Sequence, residues 1–338
     1  MIRHDFYLAW RYLRFHKSRT VILVACLSLI GSLPLSLHYL LDEGERQMTA
    51  RAESTPLLVG AKGSSVDLTL SALYFSEAPV PAITMADADR IGETGWADGL
   101  PVYARFRVHG QPLVGVSLDY FEFRRLSPAQ GDMLAMLGDC VLGSDAAEAL
   151  GLKPGDTLLT TPENLFDLAG VYPLRLHVTG ILGKSHSPDD QAIFVDLQTT
   201  WVIEGLGHGH AEQKPAARDG NQPFGQADVN LRADAKLLTY TEITAENIDS
   251  FHFHGDPATY PISAVIAIPH DQRAATLLKG RYQADDAKTQ IVQPLQTTRG
   301  LLDNIFRIGA LFDAVIALVG GATLLALGLV FSLSLRLR

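Results

Sequence analysis

Two long apolar segments, one near each end of this 338-residue chain, constrain its fold more than any other feature. Residues 21–41 and residues 314–333 contain no Asp, Glu, Lys or Arg. An α-helix of about 20 apolar residues is long enough to cross a hydrocarbon core about 30 Å thick. We therefore expect two transmembrane helices, at residues 20–41 and 310–335, on either side of a largely soluble domain.

The charges beside these segments predict their orientation. Arg14 and Lys17 lie before the first segment, and Arg336 follows the second. The positive-inside rule then places both chain ends in the cytoplasm and the central domain outside it. A cleaved signal peptide is the alternative for the first segment, but its apolar region has only about 7–15 residues and ends at a small-x-small site, which is missing here. We favour an uncleaved anchor.

Residues 1–19 combine basic and aromatic side chains with leucines. This pattern is typical of an amphipathic helix that lies in the membrane interface, with Trp10 and Tyr12 at the level of the headgroups. The alternative is a cytoplasmic extension of the first transmembrane helix. We expect a cytoplasmic amphipathic helix that contacts membrane lipids.

Composition excludes two classes of function. The net charge of −9 and the pI near 5.6 argue against nucleic-acid binding, which needs a basic surface. The sequence has no phosphate-binding loop, no Gly-x-Ser-x-Gly motif and no His-Glu-x-x-His motif, so we expect no catalytic residues and no enzymatic activity of its own. Cys26 lies in the first apolar segment and Cys140 outside it, so the two do not pair, and Cys140 is most simply a small core residue.

The central region alternates between short strands and helices, which predicts an α+β fold. Turns and periodicity predict strands at residues 102–109, 113–123, 138–142, 157–160, 174–181, 192–196, 261–268 and 289–295, and helices at residues 84–92, 145–150, 270–282 and from residue 299 onward. We expect residues 42–126 and 257–309 to form one subdomain. A β-rich subdomain, residues 127–256, is inserted between these two parts. Glycine, proline and polar residues predict an exposed, mobile loop at residues 205–223.

Several motifs, in this order, resemble the MacB/FtsX-like family of ABC transporter permeases, the type VII or mechanotransmission class. The first is Leu-Ala-Trp-Arg-Tyr-Leu-Arg at residues 8–14, before the first apolar segment. The next are Val-Leu-Gly-Ser at residues 141–144 and Ala-Leu-Gly-Leu-Lys-Pro-Gly-Asp-Thr-Leu at residues 149–158. Val-Thr-Gly-Ile-Leu at residues 178–182 and Ala-Ile-Phe-Val-Asp-Leu at residues 192–197 complete the set.

The resemblance implies a multi-pass protein of the bacterial inner membrane with a periplasmic core. Residues 42–126 and 257–309 would form the porter-like subdomain, and residues 127–256 the sabre-like subdomain. The implied partners are a cytoplasmic ABC ATPase, which alone binds ATP, and a second copy of the permease or a homologous permease in a dimer. A periplasmic adaptor or substrate-binding protein is a further expected partner. Family members have four transmembrane helices, so we expect this chain to lack the last two.

The expected function is that of a permease subunit. ATP hydrolysis by the partner ATPase would move the periplasmic domain and drive export or extraction of a substrate. The alternative is a signalling scaffold of the same architecture that regulates a periplasmic enzyme or acts with a zinc-binding partner. A two-span sensor is a third possibility, although the short ends of the chain contain no output domain.

Histidines at two-residue spacing supply the candidate metal ligands. On a strand, residues two apart face the same side, so His252 and His254 are expected to point toward one ion together with Asp256. His208 and His210 form a second such pair, with Glu212, in the predicted loop. Imidazole is a good ligand for zinc, copper or nickel, which makes zinc the expected metal cofactor if there is one. The alternative is that these histidines are solvated.

Overall fold

The computed structural model describes residues 7, 10–11, 13–78, 80–160, 173–209, 242–282 and 288–336. They form two compact units. One, here called the helical unit, comprises Met1–Ala50 and Thr298–Arg338, and the other, the sheet unit, comprises Arg51–Thr297. Of the predicted amphipathic helix at residues 1–19, the structure describes residues 7, 10–11 and 13–19.

Eight α-helices and fourteen strands occur within the described part of the chain. The helices are α1 (Lys17–Glu53), α2 (Ser65–Tyr74), α3 (Met85–Gly92), α4 (Leu118–Arg124), α5 (Ser144–Leu150), α6 (Leu197–Ile203), α7 (Gln272–Arg281) and α8 (Pro294–Arg336). The strands are β1 (Leu57–Ala61), β2 (Ile83–Thr84), β3 (Ala97–Val108), β4 (Gln111–Val116), β5 (Pro128–Gly131), β6 (Asp139–Leu142), β7 (Thr157–Leu159), β8 (Arg175–Leu182), β9 (Ile193–Asp196), β10 (Gly207–Gly209), β11 (Phe251–Phe253), β12 (Pro261–Ile262), β13 (Ala264–Pro269) and β14 (Thr289–Val292).

The helical unit contains most of the long helices α1 and α8. Nε2 of His38 on α1 lies 3.4 Å from Oδ2 of Asp313 on α8, so the two helices approach each other here. Within the described residues, one helix segment, Gly309–Ala326, is long and apolar enough to cross a membrane. It coincides with the second predicted span. The first predicted span lies within α1 and stays a prediction.

A single ten-stranded sheet organises the sheet unit. Its strand order is β14-β1-β13-β3-β4-β9-β6-β8-β5, and β7 pairs with β8. The early and late strands of the chain therefore lie side by side, while the strands of residues 128–196 extend the sheet beyond them. The parallel pairing of β4 with β9, from Leu113↔Ile193 to Val116↔Asp196, joins the two parts. This mixture of helices and a largely antiparallel sheet confirms the α+β class.

Apolar side chains cover both faces of this sheet. On β1, Leu57 and Val59 belong to the core on one face and Leu58 to the core on the other. Phe194 on β9 is fully buried on the second face, where its ring meets those of Tyr120 and Phe121. Residues that alternate along a strand point to opposite faces, so a strand buried on both sides is apolar throughout.

Three segments differ from the sequence predictions. The strand predicted at residues 113–123 ends at Val116, and α4 follows because it buries the adjacent Tyr120 and Phe121 on one side of a helical turn. Helix α6 was not predicted, although the Asp196 side chain caps it by accepting the Gln198 N–H at 2.8 Å. The predicted loop at residues 205–223 contains β10 at its start, and residues 210–223 lie outside the described part of the chain.

Cys140 is a buried core residue of β6, and we expect its thiol to be unreactive in the folded protein. Burial, with a smaller contribution from the nearby Asp139 carboxylate, raises the pKa of Cys140 to about 12. Since the thiolate is the reactive form, reaction requires unfolding. In a Cys26→Ser variant, a thiol reagent at pH 8 should modify nothing in the native protein and one cysteine per chain in denaturant. Modification of the native protein at the rate of a free thiol would contradict this prediction.

Candidate functional site

A buried ion pair lies where α1 ends. Arg51, in the last turn of α1, forms a bidentate pair with Asp189, which belongs to a short 3₁₀ helix at Pro188–Gln191. The Arg51 Nη2 to Asp189 Oδ1 distance is 2.8 Å. Both residues are buried, with exposed fractions of 7% and 1%. The ion pair thus lies within the sheet unit and joins the last turn of α1 to the 3₁₀ helix through two buried charges.

Neighbouring groups satisfy the remaining hydrogen-bonding atoms of the pair. The Tyr120 hydroxyl donates to Asp189 Oδ1 and accepts from Arg51 Nη2, both at 2.8 Å. Arg51 Nε donates to the Leu73 carbonyl at 3.2 Å, and the Ser187 hydroxyl donates to Asp189 Oδ2 at 3.0 Å. A buried ion pair is stable only when such additional bonds compensate for its loss of water. Three α-helices (α1, α2 and α4) and the 3₁₀ helix with its capping residue Ser187 therefore meet at this pair.

Burial and the neighbouring charges have opposite effects on the pKa of each residue in the pair. Burial alone would raise the pKa of Asp189, but the Arg51 guanidinium outweighs it and the pKa falls below its ordinary value. Burial would lower the pKa of Arg51, but Tyr120 and Asp189 raise it overall. A depressed carboxyl pKa stabilises the fold above the unfolded-state value and loses this effect only as the pH falls through the folded-state value. The pair is therefore fully charged at neutral pH.

A second arginine fixes the same end of α1. Arg124 on α4 donates from Nη1 to the Ser54 hydroxyl and from Nη2 to the Thr55 hydroxyl, both at 2.9 Å. Burial, and then repulsion by the Arg51 charge, lowers its pKa. Its guanidinium carbon lies 4.8 Å from the centre of the Phe123 ring. Helix α4 thus holds the residues that follow α1 as well as its last turn.

Gly143 allows the 3₁₀ helix to reach Arg51. A Cβ atom at this position would lie 2.2 Å from the Asp189 carbonyl oxygen and 2.4 Å from that of Asp190. The Gly143 N–H also donates to the Ala192 carbonyl at 2.8 Å. Only a residue without a side chain permits this approach. The position of Asp189 therefore depends on a glycine 46 residues earlier in the sequence.

Sequence reasoning did not identify this cluster. It gave no role to Asp189, Tyr120 or Arg124. The partners are 138 and 69 residues from Arg51 in the sequence, and no local spacing connects them. A possible signal was the pair Asp189-Asp190 after a proline, but in a polar loop two carboxylates usually indicate a solvated turn.

The predicted metal ligands are partly brought together. Strands β10 and β11 pair antiparallel, and His208 lies directly opposite His252. His254 follows β11, and its Nε2 lies 3.4 Å from Nε2 of His208. The three imidazoles offer ligand atoms that all lie within 4.8 Å of one another. His210 and Glu212 lie outside the described residues, and the Asp256 carboxylate caps a 3₁₀ helix by accepting the Ala258 N–H at 3.0 Å.

Two solved structures show similarity to this chain. The chain is similar to the periplasmic region of MacB from Actinobacillus actinomycetemcomitans at 12% identity, with a TM-score of 0.40, over 75% of this chain and 95% of that one. It is also similar to the extracellular domain of the noncanonic ABC-type transporter YknZ from Gram-positive bacteria at 14% identity, with a TM-score of 0.36, over 70% and 98%. No curated protein matches the chain.

The family itself is established by a sequence model rather than by these structures. The model of the MacB-like periplasmic core domain matches residues 23–237, which is more than half of the chain. The match includes Arg51, Tyr120, Gly143 and Asp189, and it covers the motifs at residues 141–144, 149–158, 178–182 and 192–197, but not the one at residues 8–14. The chain belongs to the family of MacB-like permeases that carry this periplasmic core domain.

Proposed function

We propose that this chain is the permease subunit of an ABC transporter in which a separate cytoplasmic ATPase drives motion of the sheet unit. The buried Arg51–Asp189 pair is the observation that carries the proposal most directly. It fixes the last turn of α1 to the core of the sheet unit through two buried charged residues, Arg51 at 7% exposure and Asp189 at 1%. A displacement of α1 would then move the 3₁₀ helix and α4 with it.

The connections between the units support this coupling. The chain passes from one unit to the other between Ala50 and Arg51, within α1, and between Thr297 and Thr298, within α8. Helices transmit displacement along their axes better than loops do, because each residue is hydrogen-bonded to the next turn. The proposed stalks are therefore α1 and α8.

Membrane insertion of both helices is part of the proposal. Large apolar side chains are highly exposed along both of them, for example Leu29 and Leu35 on α1 and Leu318 and Leu325 on α8, each at about 70%. A soluble protein rarely exposes such continuous apolar surface. Lipid, a second permease copy or further membrane helices would cover it. We propose a multi-pass inner-membrane protein with cytoplasmic ends, in which residues 42–126 and 257–309 form the porter-like subdomain and residues 127–256 the sabre-like one.

The proposed work is export or extraction of a substrate, with a periplasmic adaptor or substrate-binding protein as a further partner. A signalling scaffold would use the same coupling but would regulate a periplasmic enzyme instead. ATP-driven motion of the sheet unit is common to both. Recovery of a periplasmic hydrolase with the complex would favour signalling over transport.

The coupling predicts that the permease stimulates its ATPase and responds to ATP. The full chain would be co-purified with its candidate ABC ATPase partner and placed in lipid nanodiscs. A fluorophore on a Glu122→Cys substitution in α4, with Cys26 replaced by serine, would report on the environment of the buried pair. We expect hydrolysis several-fold above that of the ATPase alone, and an ATP-dependent change in fluorescence. Failure to co-purify, together with unstimulated hydrolysis, would refute the proposal.

A matched variant separates coupling from assembly. Replacing Arg51 with methionine and Asp189 with leucine removes the pair without leaving a buried charge. We expect this double variant to co-purify with the ATPase but to show a smaller fluorescence change on ATP addition. An ATPase without its catalytic glutamate is the control for hydrolysis. An unchanged fluorescence response in the double variant would show that the pair does not transmit the motion.

A further inference from the structure

The three clustered histidines lie on one face of a small two-stranded sheet whose other face is packed into the core. In β10, glycines flank His208, and in β11, phenylalanines flank His252. The register pairs Gly207 with Phe253 and Gly209 with Phe251. Side chains of adjacent strand residues point to opposite faces. The histidine side chains therefore lie on the face of the strand pair opposite to the phenylalanine rings.

The packing of the opposite face holds the histidine face in place. A Cβ on Gly207 would lie 2.7 Å from the Phe253 ring, and a Cβ on Gly209 the same distance from the Phe251 ring. Each ring thus packs over a glycine, and a larger residue in place of the glycine would prevent this contact. Phe253 also meets the Tyr260 ring, with centroids 6.1 Å apart, and both phenylalanines pack against the main core. The strand pair is anchored by its apolar face.

One separation between the imidazole nitrogens matches that of a metal site. Two nitrogens bound to a tetrahedral zinc ion at about 2.0–2.1 Å lie roughly 3.3–3.4 Å apart. The separation of His208 Nε2 and His254 Nε2 is 3.4 Å. The three ring centroids are 4.7, 4.8 and 5.0 Å apart in pairs, which brings the His252 ring as close as the other two. A small rotation of side chains that are exposed or half-buried would complete a common centre.

A second contact orients one of the ligands. Nδ1 of His252 lies 3.2 Å from the Ser250 carbonyl oxygen. When Nδ1 carries the proton and donates to this carbonyl, Nε2 is left as the unprotonated nitrogen that a metal requires. Metal-binding histidines usually have such a partner on the other ring nitrogen, because it fixes the tautomer and the ring plane. The Ser250 carbonyl thus orients the His252 ring in the way expected for a metal ligand.

We propose that His208, His252 and His254 bind a single first-row transition-metal ion, with Zn²⁺ as the preferred ion. Three neutral imidazoles leave the fourth tetrahedral position open to water or to a donor from another molecule. An all-nitrogen set favours zinc, copper or nickel over magnesium or calcium, which prefer oxygen. The ion joins two strands whose paired histidines, His208 and His252, are 44 residues apart in the sequence, and so stabilises the fold of this part of the sheet unit. This inference does not depend on the proposed transport function.

Zinc titration of the metal-free full chain in detergent micelles tests the site. We expect one Zn²⁺ per chain with a dissociation constant below about 1 µM, measured by competition with a chromophoric chelator. His252→Asn and His254→Asn should each weaken binding by at least about 100-fold, since even second-sphere losses cost about 10–100-fold. His270→Asn is the matched control, because His270 is exposed and lies 3.3 Å from Asp98, outside the cluster.

Two further measurements distinguish the loss of the metal site from the loss of folding. Zinc at about 100 times its dissociation constant should raise the unfolding temperature of the wild type by roughly 5 °C and that of the triple variant His208→Asn, His252→Asn and His254→Asn by nothing measurable. Co²⁺ should give the visible absorption of a four-coordinate ion only in the wild type. Weak binding in the wild type, or tight binding that persists in the folded triple variant, would overturn the proposal.

Discussion

Asp189→Asn should lower the free energy of unfolding of the sheet unit by about 3–5 kcal/mol, because it leaves the Arg51 guanidinium buried without a counter-charge. Arg51 is only 7% exposed and its Nη1 and Nη2 both donate to this carboxylate. An asparagine presents one amide nitrogen toward the guanidinium in place of an oxygen. The loss would represent a large fraction of the stability of a typical domain, which is about 5–15 kcal/mol.

Urea unfolding of the full chain in detergent micelles measures this loss. In a Trp10→Phe background, the remaining tryptophans, Trp96 and Trp201, both lie in the sheet unit and report on its unfolding alone. Asp190→Asn is the matched control. Asp190 is equally buried, but its carboxylate accepts from Ser185 N–H and His186 N–H rather than from an arginine. We expect the control to cost about 1–2 kcal/mol.

The Arg51→Met and Asp189→Leu double variant distinguishes an uncompensated charge from lost packing. It removes both charges, so it should be more stable than Asp189→Asn alone. Equal stability of Asp189→Asn and Asp190→Asn would show that the ion pair contributes no more than an ordinary buried hydrogen bond. That result would also remove the structural basis for coupling α1 to the sheet unit.

Local signals made part of this fold predictable. Helix α3 starts where the capping residues predict it, with the Thr84 N–H donating to Asp87 Oδ2 at 2.9 Å, and α5 ends at Gly151, whose φ is 67°. These features depend on residues three or four apart in the sequence, which a periodic pattern contains. Strand β8 was likewise found from its alternation of buried and partly exposed residues. Each of these elements is specified by its own segment.

Contacts between distant segments were not predictable in the same way. The alternation of Phe251, His252, Phe253 and His254 correctly predicted that the two histidines share a face. Sequence spacing paired His208 with His210, which lies outside the described residues, and gave no sign that the register of β10 and β11 places His208 opposite His252. A two-residue spacing indicates which side chains share a face of one strand, but not which strand lies beside it. The same limit concealed Asp189 as the partner of Arg51.

Gly143→Ala should destabilise the sheet unit by about 3 kcal/mol, at the upper end of the range for overpacked sites. The φ of −63° and ψ of 155° suit alanine, so the cost comes from space and not from backbone conformation. The new methyl group would have to displace the backbone at Asp189 and Asp190, whose carbonyl oxygens lie 2.2 and 2.4 Å from its position. That displacement moves the Asp189 carboxylate away from Arg51.

Gly63→Ala is the matched control, because a Cβ there meets nothing within 4 Å and the stability should change by no more than about 0.5 kcal/mol. The decisive measurement is the double-mutant cycle of Gly143→Ala with Asp189→Asn in the same urea unfolding assay. If the methyl group acts by moving Asp189, the loss in free energy of unfolding caused by Asp189→Asn is smaller in the Gly143→Ala background than in the wild type, by about 1 kcal/mol or more. Additive costs would show that Gly143 and the ion pair stabilise the fold independently. A combined cost smaller than the sum of the two single costs would identify Val-Leu-Gly-Ser, a motif at residues 141–144, as the element that positions the Asp189 carboxylate for α1.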